Sequence, residues 1–171
     1  MIILGLNAYH ADSSAAIFVN GKMIAATEEE RFRRIKHWAG FPSQAIEFCL
    51  KEAGVTINEV DHICIGRDPK AKVWNKAKYV LKSLTKKNTL ILDRLKNSNK
   101  IKSLESEFAS HFDCKEVDIK SKIIYVEHHR SHLASAFFAS PFDEAAILSI
   151  DGSGDFTTTM IAVGKGNQIE V

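Results

Sequence analysis

His128 and His132 stand four residues apart, so on a helix their rings project from one face about one turn apart, roughly 6 Å, close enough to share one metal ion. On spacing alone, two histidines meeting on a partly exposed helix face by chance is the competing reading. Asp151 strengthens the metal reading, because it ends the apolar run Ala145 to Ile150 immediately before Gly152-Ser153-Gly154. A strand end would hold its carboxylate at the edge of a sheet. Two imidazoles and a carboxylate with open positions suit Fe(II) or Zn(II). The Gly-Ser-Gly segment is expected to be a turn whose backbone N–H groups stay open to phosphate, although turn geometry alone also explains two glycines there.

A second polar cluster, Asn7 to Ser14, lies between two apolar runs. Its small residues permit close approach of a ligand, and His10 has the chemistry of an acid, a base or an anion partner. Asp12 and Ser13 join Gly152, Ser153 and Gly154 as candidate substrate and phosphate contacts, against the ordinary alternative that Asp and Ser are simply turn residues. The charged run Glu28 to His37 reads first as a solvated face, within which Lys36 and His37 are placed to reach an anionic substrate. Trp38, Phe41, Phe48, Phe137 and Phe138 are expected in packing rather than in a stacking platform.

The elements that must hold these residues follow from pattern. Met1 to Asn7 and Ser14 to Val19 read as strands, Asn20-Gly21 as a type I′ hairpin turn, and Met23 to Thr27 as a third strand. From Pro42-Ser43, the positions Ala45, Ile46, Cys49, Leu50 and Ala53 keep helical period until Gly54 stops it. Asp61 to Gly66 reads as a strand, Val73 to Leu84 as amphipathic helix, Asn97-Ser98-Asn99 as a break, and Leu104 to Phe112 as another helix. Lys122 to Glu127 is expected as a buried strand feeding a helix from His128 to Ser140. Strands over Ala145 to Asp151 and Thr157 to Val163 follow, with a turn at Gly164 to Asn167 and a final strand. This ending repeats the plan of the first 27 residues: apolar strand, polar turn carrying Asp, strand, Gly/Asn turn, strand. An unfinished sheet at Val171 would leave an edge able to pair, while a monomer fits equally well.

With 171 residues, 45% of them hydrophobic and 26% charged, the chain is expected to be a single globular domain, 1–171, with a basic helical insertion at about 68–120. Three cysteines, Cys49, Cys64 and Cys114, match no paired-thiolate metal spacing and leave one thiol over in any disulfide scheme, which favours a reducing cytoplasm. No run approaches the ~18 apolar residues of a membrane span. Although the net charge is only +2, Arg67 to Lys102 holds 12 Lys/Arg against Asp68 and Asp93, a local +10. Trp74 and Tyr79 are interleaved there, yet the amphipathic spacing favours a solvated helix face over a nucleic-acid surface.

The segments GLNAYHADSSAAIF, EEERFRRIKHWAGFPSQAI and VEHHRSHLASAFFASPFDEAAILSIDGSGDFTTT together resemble the N-terminal part of the NodU/TobZ-type O-carbamoyltransferases. The resemblance spans nearly the whole chain except Lys70 to Lys120. It implies an α/β fold, a ribonuclease-H-like mixed sheet flanked by helices as in the actin/Hsp70/sugar-kinase superfamily, as part of a Kae1-like domain. It also implies that His128, His132 and Asp151 hold the metal, and that His10 and Lys36 lie near the carbamoyl and phosphate groups as catalytic residues. The implied reaction joins carbamoyl phosphate and ATP into a carbamoyl-adenylate in a separate YrdC-like domain and passes the carbamoyl group to a hydroxyl of a small acceptor, a sugar or an antibiotic-like alcohol. Members are several times longer, so this chain alone is expected to be silent without its C-terminal half and YrdC-like domain. Arg130-Ser131 replaces the family's usual Leu-Ala and leaves the histidine spacing intact. The tRNA threonylcarbamoyl transferase group shares the histidine helix, but the block Lys36 to Pro42 speaks for the small-molecule branch. A sugar kinase of the same fold class would need Mg(II) on oxygen ligands rather than imidazoles.

Overall fold

The computed structural model describes residues 1–68, 71, 104–155 and 157–171. The expected helices over Val73 to Leu84 and the break at Asn97 to Asn99 lie outside the described residues. The chain divides into two compact units, Met1–Ile65 with Asn99–Ile124, and Gly66–Ser98 with Tyr125–Val171.

The first unit is built on a mixed sheet. Strands β1 (Ile2–Asn7), β2 (Ser14–Val19) and β3 (Lys22–Glu28) form an antiparallel meander. The two-residue hairpin between β2 and β3 has positive φ at both Asn20 (50°) and Gly21 (81°), the backbone that a type I′ turn requires and that Asn-Gly adopts at least cost. After the short helix α1 (Glu30–Arg33), helix α2 (Ser43–Ala53) carries the chain over to β4 (His62–Ile65), which pairs parallel with β1. Strand β5 (Ile123–Tyr125) completes the order β3-β2-β1-β4-β5. Because paired residues share a face, Leu4, Ile17 and Ile63 form one buried row and Leu6, Ala15 and Ile65 the next. Helix α2 lies against β2 and β3 with Ala45, Ile46 and Cys49 fully buried, and Gly54 ends it in the left-handed conformation.

Helices α3 (Leu104–His111) and α4 (Glu116–Lys122) close this core with Phe108 and Ile119. Phe108 meets Phe41 edge to face, centroids 5.1 Å apart. The sequence reading missed α4, since Ile119 is its one buried residue and gives no period to detect. It also expected a buried strand over Lys122 to Glu127. The strand is three residues long with Ile124 and Tyr125 exposed, as befits the edge of the sheet.

The second unit repeats the meander. Helix α5 (His128–Phe137) covers one face of the antiparallel sheet β6 (Glu144–Gly154), β7 (Thr157–Lys165) and β8 (Gln168–Glu170). Leu133 and Phe137 pack on Ile147 and Ala162. Phe138, expected on the buried helix face, is exposed because the helix has ended at Phe137. Gly152-Ser153-Gly154, expected as a turn, is instead the end of β6, and the ladder breaks register between Ile150 and Gly154. Glycines let the strand bulge there, and Asp155, at φ 47°, takes the turn. Near the other end, a Cβ on Gly164 would fall 2.7 Å from ring atoms of Phe137. Gly164→Ala is expected to lower stability by about 1–3 kcal/mol through overpacking, read as a drop in midpoint on thermal unfolding.

Candidate functional site

Helix α5 begins where Glu127 accepts a hydrogen bond from the Arg130 amide. Asp155 Oδ2 accepts from the His128 amide at 2.9 Å and the Asp68 amide at 2.8 Å, tying the first turn of the helix to two other segments of this unit. The His128 ring is oriented as well: Nδ1 lies 3.2 Å from the Gly66 carbonyl. A carbonyl only accepts, so Nδ1 carries the proton and the lone pair of a neutral ring sits on Nε2.

That Nε2 lies 2.8 Å from Asp151 Oδ2 and 3.0 Å from His132 Nε2, with His132 Nε2 3.9 Å from the same carboxylate oxygen. Three lone-pair-bearing atoms converge here, an arrangement that needs a cation among them, whether a proton or a metal ion. Ligand atoms held at about 2.0–2.2 Å from one ion lie roughly 3 to 3.5 Å apart, and these separations bracket that range. Burial, followed by the neighbouring His128, lowers the His132 pKa against the opposing pull of Asp151. When His128 Nε2 carries a proton, its hydrogen bond to Asp151, then that from the Gly152 amide, holds Asp151 below the usual carboxylate range. Both effects favour the unprotonated forms of His132 and Asp151, and the donor set of two imidazoles and a carboxylate fits Fe(II) or Zn(II) where a metal ion takes the place of that proton.

Gly154 is part of this construction. A Cβ there would lie 1.9 Å from His128 Cδ2, so only glycine admits the ring. Gly152 gives its N–H to Asp151 Oδ1 at 2.6 Å, and so orients the carboxylate. His129, between the pair, is fully buried: Ser149 Oγ is 2.8 Å from its Nδ1 and the Thr157 carbonyl 3.0 Å from its Nε2. Both ring nitrogens are satisfied, which makes it a core residue.

The other candidates belong to the first unit. The β1–β2 loop and the segment after α1 are stitched together by Tyr9 N–H to the Gly40 carbonyl, Ser13 N–H to the Trp38 carbonyl and Gly40 N–H to Ser13 Oγ. His10 and Asp12 are therefore exposed on the loop that is tied to the Lys36 segment. His10 and Lys36 are exposed, whereas Ser13 is fully buried with its hydroxyl held by the His10 and Gly40 carbonyls. Glu29 escaped the sequence reading: it is fully buried beside Arg33, whose guanidinium lies 4.4 Å from the centre of the Trp38 ring. The alternation of acids with arginines gave no signal for it. His37, expected with Lys36 to reach an anionic substrate, lies 2.9 Å from Asp12.

Among known proteins, the chain matches the family described as carbamoyltransferase N-terminus over residues 2–171. It is 41% identical to an uncharacterized Synechocystis protein, sll1178, over 98% of this chain and 28% of that one. It is 36% identical to the nodulation protein NolNO of Sinorhizobium fredii over 96% of this chain and 23% of NolNO. The chain thus spans about a quarter of the length of these relatives. Among solved structures, YeaZ from Pseudomonas aeruginosa aligns with a TM-score of 0.46 and 14% identity, covering 98% of this chain and 61% of YeaZ. The match along almost every residue, through the histidine helix and both loops of the first unit, establishes that this chain belongs to the carbamoyltransferase N-terminus family.

Proposed function

We propose that the chain is the N-terminal domain of an O-carbamoyltransferase that moves a carbamoyl group from a carbamoyl-adenylate, made from carbamoyl phosphate and ATP, to a hydroxyl of a small-molecule acceptor. The observation that carries this reading is the convergence of His128, His132 and Asp151 on one point in a chain of this family. The residues would hold Fe(II) or Zn(II), which when bound supplies Lewis-acid polarisation of a carbamoyl or phosphate oxygen. His128 and His132 bind, Asp151 balances charge, and Gly66 and Asp155 keep the first ring in place.

In this reading Lys36 meets the anionic phosphate, and His10 stabilises charge that develops on the carbamoyl group or helps deprotonate the alcohol. The meanders are the opening strands of ribonuclease-H-like folds. Adenylate formation belongs to a YrdC-like part of a longer protein, so the 171-residue chain is expected to transfer no carbamoyl group unaided. Detectable transfer by the purified chain would overturn that expectation. Cys49, Cys64 and Cys114 are all free thiols, which suits a reducing cytoplasm, and no described helix is long and apolar enough to cross a membrane.

Anaerobic titration with Fe(II) and with Zn(II) tests the site. The parent chain is expected to bind one ion, and a His128→Ala/His132→Ala variant none. Parent-like affinity in the double variant would remove the assignment.

A further inference from the structure

The sheet of the second unit has one covered face and one bare one. Ile147 and Ala162 lie under α5, whereas Leu148 (59% exposed), Ile150 (74%), Ile161 (68%) and Val163 (50%) stand on the opposite face. Side chains alternate along a strand, and the ladder pairs Ala146 with Val163, Leu148 with Ile161 and Ile150 with Thr159. These residues therefore form adjacent rows of one patch, which Glu144 and Lys165, 3.3 Å apart, close at one end. Four large aliphatic side chains side by side in water mark an interaction surface.

The meander of the first unit has the same rows. Leu4-Gly5-Leu6-Asn7 ends β1 as Leu148-Ser149-Ile150-Asp151 approaches the end of β6, and the pairs are Ile2 with Val19, Leu4 with Ile17 and Leu6 with Ala15. The side of the sheet is also the same. Asn20 and Gly166, each an odd number of residues beyond Ile17 and Ile161, both donate their amides to the first strand, to the Met1 and Asp143 carbonyls at 2.8 Å. Ile17 and Ile161 thus both turn their backbone groups away from that strand, and for L-residues this fixes the side their side chains occupy. In the first unit that side is buried, Leu4 and Ile17 completely, in one core with Ala45, Ile46 and Cys49 of α2.

We propose that the bare face is the docking surface for an amphipathic helix of the same polypeptide. It belongs to the segment that follows Val171 in a protein of the relatives' length and lies across β6 and β7 as α2 lies across β2 and β3. The inference rests on the reading of this chain as the N-terminal domain of a longer enzyme. Connectivity favours this occupant: α2 follows the third strand of its meander, and a segment leaving β8, which pairs with β7, reaches the face by a short connection. From Ala146 to Ile150 the patch runs about 14 Å, so roughly nine or ten helical residues span it. Aliphatic residues at helical period would fill the spaces between its rows.

The test uses a full-length enzyme bearing this N-terminal sequence, with one cysteine introduced at a time and maleimide labelling followed peptide by peptide by mass spectrometry. Leu148→Cys and Ile161→Cys are expected to label at least about 100-fold more slowly than Lys22→Cys, which lies on the exposed β2–β3 hairpin. That protection should be unchanged on dilution. A photoreactive residue in place of Ile161 should crosslink to a peptide from beyond residue 171 of the same polypeptide. Labelling of both positions as fast as Lys22→Cys overturns the proposal, because the face is then bare in the whole protein. Protection that is lost on dilution, or crosslinks joining two copies, overturns it in favour of a second copy as the occupant. A full-length protein with the protection and the crosslink but no carbamoyl transfer overturns the functional reading and leaves the docking surface in place.

Discussion

Gly154→Ala is expected to cut metal affinity at least about 100-fold, near 2.7 kcal/mol, although residue 154 supplies no ligand atom. The added carbon would sit 1.9 Å from His128 Cδ2, 2.4 Å from Cγ and 2.7 Å from Nε2. Nothing flexible is available to yield: the obstacle is a ring whose Nδ1 is held by the Gly66 carbonyl and whose amide is held by Asp155. Either the ring turns, breaking the Gly66 bond and removing Nε2 from the ligand set, or the end of β6 moves and carries Asp151 with it. Both routes separate atoms now 2.8 Å apart. Zn(II) competition against a chromophoric chelator reads the effect. Gly152→Ala is the control, since a carbon there would meet nothing within 4 Å; its metal affinity should stay within a few-fold of the parent. Equal affinities for parent and Gly154→Ala would show that the His128 ring does not bind the ion.

The second large effect is structural. Glu29→Ala is expected to destabilise the chain by about 3–5 kcal/mol, a large share of the ~5–15 kcal/mol typical of a domain. Helix α2 starts behind Pro42, which has no side-chain oxygen to cap it. Glu29 supplies the cap from a distant segment: Oε2 accepts from the Ala45 amide at 2.8 Å and Oε1 from the Gln44 amide at 3.3 Å. A carboxylate at this end of a helix also complements the dipole. Its charge is balanced by Arg33 Nε at 2.7 Å, and Arg33 in turn reaches Ser43 Oγ. Removal of the carboxylate strands two amides and a partly buried guanidinium. Glu29→Gln keeps one acceptor and should lose less, and the Glu29/Arg33 double-mutant cycle should show coupling above about 1 kcal/mol. Urea unfolding measures all of these. A Glu29→Ala variant within about 1 kcal/mol of the parent would show that water or a neighbour replaces the cap.

Elements legible in the sequence are those whose signal is local. Asn20-Gly21 specifies its turn through its own φ preferences, and Ala45, Ile46, Cys49 and Leu50 announce α2 because one face repeats every 3.6 residues. The repeat of the meander was legible for the same reason, each strand being apolar and each hairpin short. The errors fall where one residue carries the element or where pairing decides it. A seven-residue helix with one buried side chain, α4, has no period, and a glycine-rich segment reads as a turn although its ladder partner keeps it extended.

By itself, then, the sequence determined the strands and helices that have a period, the one-turn spacing of His128 and His132, the carboxylate at Asp151 and the family resemblance. Only the tertiary structure decided that Glu29 is an internal cap rather than a solvated charge, that Gly154 is the seat of a ring, that Gly66 and Asp155 fix His128, and that Asp12 and His37 meet. Each of these depends on backbone from a different segment coming within about 3 Å. Such approach is set by the packing of whole elements, and no side chain advertises it to its neighbours along the chain.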